Sequence, residues 1–142
     1  MIKGFTLIEL IIVVAIISIL AAIIIPLYQR NIAKSQIIAA VAELNGAKSQ
    51  YELIINNGST SGSTAFTVSN MFFSGPQSSI CVYDVNEPDN DGNSDQALVC
   101  KFINTASVLR GESVYLNRNK NGAWSCSTSA GVDLQLKPKE CY

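Results

Sequence analysis

GFTLIELIIVVAIISILAAIIIP, residues 4–26 of this 142-residue chain, is the stretch that decides the fold. Between residues 5 and 25 only Thr6, Glu9 and Ser18 are polar. At about 1.5 Å per residue, a helix over this stretch is roughly 31 Å long, close to the hydrocarbon thickness of a bilayer. The stretch therefore predicts a helix that can span a membrane.

Glu9 distinguishes this stretch from an ordinary membrane anchor. Its carboxylate lies one turn inside the apolar run, where a charge is costly and usually marks a function. A secretory signal peptide also has a charged start, but its apolar core is shorter and ends at a cleavage site. Here helix-forming sequence follows instead, and a plain single-span anchor leaves Glu9 unexplained. We therefore expect the carboxylate to be functional and to need a positive partner.

The residues around Glu9 form a specific motif. Residues 3–9 read KGFTLIE ahead of the apolar helix, and the pattern continues through Pro26, Tyr28, Ala33 and Ser35. This pattern resembles the N-terminus of a type IV prepilin, the precursor of a pilus subunit. Ser18 departs from it, since many relatives have glycine there.

The resemblance implies how the chain is processed. A prepilin peptidase would remove residues 1–4 as a leader by cutting between Gly4 and Phe5, and the new amine of Phe5 would be methylated. Residues 5–26 would then hold the subunit in the bacterial inner membrane as a single span. Glu9 would pair with the Phe5 amine of a neighbouring copy, and Pro26 would lie where the span ends.

The resemblance also implies a function. An inner-membrane assembly platform would polymerise copies of this chain into an extracellular type IV pilus for adhesion, twitching motility or DNA uptake. One alternative is a minor or competence pilin that binds DNA. Another is a type II secretion pseudopilin, which two disulfides and a Trp-x-Cys ending disfavour.

Residues 27–57 predict an amphipathic continuation of the helix. Apolar residues recur at steps of three and four, which places them on one face: Ala33, Ile37, Ala40, Leu44, Ala47, Tyr51 and Ile54. Lys48 and Glu52 are spaced for an i,i+4 ion pair. Asn56-Asn57-Gly58 is a typical helix stop, because asparagine and glycine adopt the left-handed conformation.

The rest of the chain predicts a sheet that covers this apolar face. Residues 58–79 form a loop that packs back through its apolar residues, Phe66, Val68, Met71, Phe72 and Phe73. Residues 80–142 contain β-like runs separated by turn signals such as residues 119–122. The runs are Ile80–Val85, Ala97–Ile103, Ser113–Arg118, Ala123–Thr128 and Val132–Lys137. The predicted fold is α+β and pilin-like, with a long helix packed on an antiparallel sheet of about four strands.

The four cysteines all lie in the C-terminal region. An even, spread-out number predicts two disulfides in an oxidising compartment, whereas metal binding lacks any CxxC pair or histidine. Of three pairings, Cys81–Cys100 with Cys126–Cys141 is expected because each bridge clips neighbouring strands or a terminal loop. Resemblance to the closing loop of pilins supports the second bridge.

The remaining polar residues indicate few other functions. The chain has no histidine and a net charge of −1, so no broad basic surface indicates nucleic acid binding. A local patch of Arg110, Arg118 and Lys120 is the exception that would bind DNA. No catalytic motif is present, and we expect neither enzymatic activity nor a cofactor. One weak calcium candidate has oxygen ligands at alternate positions: Asp89, Asp91, Asn93 and Asp95.

Overall fold

The computed structural model describes residues 1, 3–72 and 74–141 of the chain. Phe73 of the predicted apolar loop, Ile2 of the predicted leader and the C-terminal Tyr142 lie outside the described residues. The elements, in chain order, are α1 (Leu7–Asn56), α2 (Val68–Met71), β1 (Cys81–Val85), β2 (Ser94–Phe102), a 3-10 turn (Ser107–Leu109), β3 (Ser113–Arg118) and β4 (Trp124–Thr128).

Helix α1 runs without interruption for 50 residues and passes through Pro26. It begins at a capping box in which Thr6 and Glu9 hydrogen-bond each other's backbone and side chains. It ends where the amide of Asn57 donates to the carbonyl of Leu53 and the amide of Gly58, at φ +87°, donates to that of Ile55. The predicted helix therefore forms, and it begins at Leu7, two residues after the start of the apolar run at Phe5.

The second half of α1 buries one face against the sheet. The buried residues are those of the predicted stripe, which confirms the periodicity: Ala33, Ile37, Ala40, Leu44, Ala47, Tyr51 and Ile54. The sheet contributes residues such as Leu98, Val114 and Leu116 to the same core. The small residues of the helix allow the sheet to approach closely, and burial of the larger ones supplies the hydrophobic stabilisation.

The four strands form an antiparallel meander in the order β1-β2-β3-β4. Each edge strand has one further bridge on its outer side. Outside β1, Gln77 bridges to Val82, and outside β4, Cys126 forms a parallel bridge with Cys141. An unpaired strand edge is a template for aggregation, and each bridge shortens the free part of its edge. The sheet, the αβ-loop, the C-terminal turns and the second half of α1 together are called the head below.

The loop between α1 and β1 packs back onto the head as predicted. Phe66, Met71 and Phe72 are buried. The ring of Phe66 lies 4.8 Å from that of Tyr51, and the ring of Phe72 stacks on that of Tyr83 at 3.9 Å. The αβ-loop is thus part of the core rather than a flexible linker.

Strand β2 begins three residues earlier than predicted. Its register with β3 shifts between Ser94 and Leu98, and Gln96 lies inside this irregularity with φ +55°. The amide of Gln96 donates to Asn117 Oδ1 at 2.8 Å instead of to a backbone carbonyl. A bulge of this kind interrupts the alternation of side chains, which is why the first part of the strand was missed.

The predicted fifth strand, Val132–Lys137, is wrong. The segment is a series of turns, in which Asp133 Oδ1 accepts from the amide of Gln135 and the Asp133 carbonyl accepts from that of Leu136. Val132 and Leu136 are buried, whereas Leu134 is 73% exposed. Two buried residues four apart suit a turn, and the aspartate favours it by capping its own backbone.

Candidate assembly surface

The first half of α1 projects its apolar side chains away from the head. Among the described residues this is the helix with a window apolar enough to cross a membrane, with mean hydropathy 3.3 and no buried residue. Large exposed side chains occur on every side of the helix, from Phe5 to Tyr28. A helix that is apolar all round requires lipid or protein around it, so this segment is the candidate surface for membrane residence and assembly.

Glu9 lies in the first turn of α1 and is exposed. Its Oε2 accepts hydrogen bonds from the Thr6 amide at 2.9 Å and the Thr6 hydroxyl at 2.7 Å. Within the described part of the chain, no lysine or arginine lies within ion-pair distance of its carboxylate. The carboxylate is therefore hydrogen-bonded locally and has no positive partner among the described residues of its own chain, while the partner predicted for it belongs to a neighbouring copy.

Gly4 and Phe5 precede the helix in an exposed segment. Phe5 is 83% exposed, and apart from the two neighbours of Gly4 in the chain, no described atom lies within 4 Å of the position that a Gly4 Cβ would occupy. Thr6, the capping residue, has extended backbone angles of φ −81° and ψ 151°. The bond between Gly4 and Phe5 is thus unobstructed and lies outside the helical hydrogen-bonding pattern.

Pro26 and Ser18 are the two interruptions of the apolar half. Proline has no amide hydrogen, so the carbonyl of Ala22 loses its usual donor. The Ser18 hydroxyl donates to the carbonyl of Val14 at 2.8 Å. Both features weaken the regular backbone bonding of the segment between them without ending the helix.

Two disulfides tie the head, in the sequential pairing. Cys81 is bonded to Cys100 across β1 and β2, with 5.0 Å between Cα atoms. Cys126 of β4 is bonded to Cys141, with 4.3 Å between Cα atoms. All four cysteines are buried. The second bridge fastens the C-terminal turns to the outer edge of the sheet.

The candidate calcium ligands do not form a cluster. Asp89 Oδ1 accepts from the amides of Asp91 and Asn93, and Asn93 Oδ1 accepts from the amide of Lys120. The hydrogen bonds that Asp89 accepts from its own loop, the Asn93 amide first, lower its pKa. No group of three or more acidic, cysteine or histidine side chains in the described residues is arranged to hold a metal ion. The arrangement is that of a solvated acidic turn, in which the backbone uses the carboxylate.

Arg118 does not belong to a free basic patch. It is 9% exposed and forms a bidentate ion pair with Glu52, Nε–Oε1 at 2.7 Å and Nη2–Oε2 at 3.0 Å. Its Nη1 donates to the Gly92 carbonyl at 2.6 Å, and Trp124 Nε1 donates to Glu52 Oε1 at 2.7 Å. The hydrogen bond from Arg118 lowers the pKa of Glu52. The patch predicted for DNA binding therefore loses its central residue to the core.

The predicted i,i+4 pair between Lys48 and Glu52 is also wrong. Glu52 pairs with Arg118 instead, and the Lys48 ammonium lies 5.6 Å from the ring centroid of Trp124. Helix spacing alone could not identify Arg118, which is 66 residues away in sequence. The tertiary contact dominates because bidentate arginine–carboxylate pairing is stronger than an exposed pair along a helix.

Comparison with known proteins matches both halves of the chain. Residues 33–142 match the family model for pilin (bacterial filament), and residues 1–25 match the prokaryotic N-terminal methylation motif. The type IV major fimbrial protein FimA of Dichelobacter nodosus is 35% identical over 98% of this chain and 95% of its own length. A fimbrial protein of Pseudomonas aeruginosa is 36% identical over 87% and 84%, respectively. A probable minor fimbrial protein of Dichelobacter nodosus is 33% identical over 89% and 87%.

Proposed function

This chain belongs to the pilin family and is a structural subunit of a type IV pilus, and we propose that it is the abundant subunit of the filament shaft. Pilins are a structural family rather than an enzyme family, and they assemble into filaments of identical subunits. The observation that carries assembly into a filament is the exposed apolar half of α1, and the names of the relatives favour the abundant subunit. Relatives matched over 94–96% of their length are named major fimbrial proteins, whereas the probable minor ones are matched over 87%.

Processing is the first part of the proposal. A prepilin peptidase cuts between Gly4 and Phe5, removes residues 1–4, and leaves a Phe5 amine that is then methylated. The exposed, non-helical segment before the helix, in which Thr6 is extended, supports this, because a protease needs a chain outside the helix. Mass spectrometry of the N-terminal peptide from sheared filaments should find methylated Phe5. Retention of Met1 in assembled material would contradict the proposal.

Membrane residence and export follow from the same segment. Residues 5–26 hold the subunit in the bacterial inner membrane, residues 27–57 join the span to the head, residues 58–79 form the αβ-loop, and residues 80–142 complete the head. An assembly platform then moves the subunit into a surface filament. Deletion of the chain should remove surface filaments seen by electron microscopy, whereas loss of a minor subunit would leave shortened or sparse ones.

Assembly uses Glu9 as the acceptor for the Phe5 amine of a neighbouring copy. A lone carboxylate in lipid costs several kcal/mol, and the described residues supply Glu9 with hydrogen bonds but no cation. Glu9→Ala should leave membrane insertion unchanged and strongly reduce filament yield. Ser18→Ala is the matched control, because Ser18 bonds only its own helix carbonyl. Normal filaments from the Glu9→Ala variant would refute the pairing.

Pro26 marks the position where we propose that the helix yields inside the filament. The carbonyl of Ala22 lacks its proline donor, and residues 23–25 are β-branched isoleucines that weaken helix preference. In lipid the segment stays helical because unpaired backbone groups are costly, but neighbouring subunits can compensate for local unwinding. A filament reconstruction with continuous helical bonding from Ser18 through Ile25 would exclude this.

A further inference from the structure

Arg30 lies at the joint between the apolar half of α1 and the head. It follows Pro26 by four residues of continuous helix, so its Cα atom lies about 6 Å further along the helix axis. The headgroup layer of a bilayer extends roughly 5–7 Å beyond the hydrocarbon on each side. When residues 5–26 span the membrane, Arg30 is therefore level with the lipid headgroups on the side of the head.

Two cavities meet at Arg30. The lower cavity, of about 300 Å³, is lined by Ile23, Pro26, Leu27 and Arg30. The upper cavity, of about 360 Å³, separates α1 from the C-terminal turns and is lined by Arg30, Val108, Gly131, Asp133, Gln135 and Leu136. Clefts of about 300 Å³ and larger hold small ligands. Along the helix, an apolar wall, a cation and a polar cavity thus follow one another.

The Arg30 guanidinium is largely unused within its own chain. Its Nη1 donates to Gln135 Oε1 at 3.5 Å, and no carboxylate of the described residues lies within 4 Å of it. A guanidinium has five N–H donors in a planar fork that matches the oxygens of a phosphate. Most of these donors are therefore available to a ligand.

Asp133 places a negative charge in the upper cavity. Its Oδ1 accepts from the Gln135 amide at 2.9 Å, and within the described part of the chain no lysine or arginine nitrogen lies within 4 Å of its carboxylate. A cation and an anion thus line one cavity without pairing with each other. A ligand that carries both charges complements them, whereas a simple anion leaves Asp133 unmatched.

We propose that Arg30 and Asp133 bind the headgroup of a phospholipid that has a phosphate and a primary amine, such as phosphatidylethanolamine. The phosphate lies on Arg30, the amine on Asp133, and an acyl chain along the apolar wall of the lower cavity. The order of apolar, cationic and anionic groups in the protein follows the order of acyl chain, phosphate and amine in the lipid. This inference rests on the proposed membrane residence of residues 5–26.

Native mass spectrometry of the full-length chain tests the site. The chain is inserted into vesicles that contain equal amounts of phosphatidylethanolamine, phosphatidylglycerol and phosphatidylcholine, and is then released into a mild detergent. The original protein should retain one phosphatidylethanolamine in preference to the other two lipids. Arg30→Gln should retain roughly tenfold less of it, because hydrogen bonds to charged groups are stronger than neutral ones.

Lys34→Gln is the matched control for the loss of a positive charge. Lys34 lies one turn further along the same helix, is exposed, and lines neither cavity. This variant should retain as much lipid as the original protein. Equal losses in Arg30→Gln and Lys34→Gln, or no preference among the three lipids in the original protein, would overturn the proposal.

Asp133→Asn tests the contact with the amine. Asparagine keeps an oxygen for the Gln135 amide but removes the charge, so the variant should retain phosphatidylethanolamine and phosphatidylglycerol equally. An unchanged preference for phosphatidylethanolamine would contradict this contact. Soluble phosphoethanolamine, which has no acyl chain, should not displace the lipid at equal concentration, and displacement would show that the apolar wall takes no part.

Membrane insertion and filament yield separate failure of this inference from failure of the proposed function. If the chain does not insert into vesicles, the proposed membrane residence is wrong, and the lipid site with it. If Arg30→Gln inserts, retains the lipid and yet forms fewer filaments, Arg30 contacts a neighbouring subunit and the lipid site alone is wrong.

Discussion

Replacing Arg118 by methionine should destabilise the head through the loss of one buried network. Arg118 joins three elements: the Glu52 carboxylate of α1, the Gly92 carbonyl before β2, and the Asn119 carbonyl after β3. Methionine occupies a similar volume but donates no hydrogen bond. The variant therefore removes the connection while leaving the surrounding packing largely filled.

The size of the effect follows from the exposure of the partners. Removing one partner of a buried ion pair costs about 3–5 kcal/mol. Here Arg118 is 9% exposed, but the Glu52 side chain is 30% exposed and keeps its bond from Trp124, so water can partly solvate the orphaned carboxylate. We expect a loss of roughly 2–3 kcal/mol in the free energy of unfolding. That corresponds to a decrease of about 10 °C in Tm for a head of this size.

Thermal unfolding of a fragment that begins at residue 29 measures this. Residues 5–28 are exposed apart from a partly exposed Ala21, so their removal leaves the core of the head intact. Lys101→Met is the matched control, because Lys101 pairs with Asp84 at the surface, where the two side chains are 59% and 51% exposed. An exposed pair contributes about 0–1 kcal/mol.

A double-mutant cycle with Glu52→Met completes the test. If the two charges stabilise each other, the double variant should cost less than the sum of the single variants by roughly 1–3 kcal/mol. A shift in Arg118→Met no larger than that in Lys101→Met, or additive effects in the cycle, would refute the network as a determinant of stability.

Three further predictions concern the head. The hydrogen bond from Arg118 lowers the pKa of Glu52. The stability that the ionised Glu52 adds to the head is therefore complete above the ordinary glutamate pKa of about 4.3 and is lost as the pH falls through the lowered value. Glu52→Gln should flatten the acid branch of a curve of Tm against pH. Replacing Cys126 and Cys141 together by serine opens a 15-residue separation and should cost about 3 kcal/mol in urea titration, whereas an unchanged midpoint would contradict the loop-entropy estimate. Leu136→Asn should lower Tm by several degrees because Leu136 is buried, whereas Leu134→Asn should not, because Leu134 is 73% exposed; equal shifts would restore the strand interpretation.

The parts of the fold that sequence predicted are those set by local periodicity. The buried face of α1 and strand β3 follow from spacing along one element, as does the turn before β4 with Gly122 at φ +80°. The fifth strand failed because alternation between residues 132 and 137 was given more weight than Asp133, a residue that favours turns. The same alternation of apolar and polar residues also fits a turn in which Val132 and Leu136, four residues apart, are buried and Leu134 between them is exposed.

The partners of charged residues could not be read in this way. Glu52 has a suitable neighbour at Lys48, yet the structure joins it to Arg118, and Glu43 accepts from the hydroxyls of Ser78 and Tyr83. These contacts depend on which part of the sheet packs against which turn of the helix. The residue pattern of the helix alone, or of a strand alone, does not predict how the two pack against each other.

The two halves of α1 therefore satisfy their polar groups in different ways. In the apolar half, every described side-chain hydrogen bond closes within four residues, between Thr6 and Glu9 or between Ser18 and Val14. In the second half, Glu43 and Glu52 bond residues in the αβ-loop and the sheet. An apolar segment exposed on every side has no folded part of its own chain beside it, so its polar side chains can only bond within the helix. Such local bonds do not depend on what surrounds the helix, whereas those of Glu43 and Glu52 depend on the fold of the sheet and the αβ-loop.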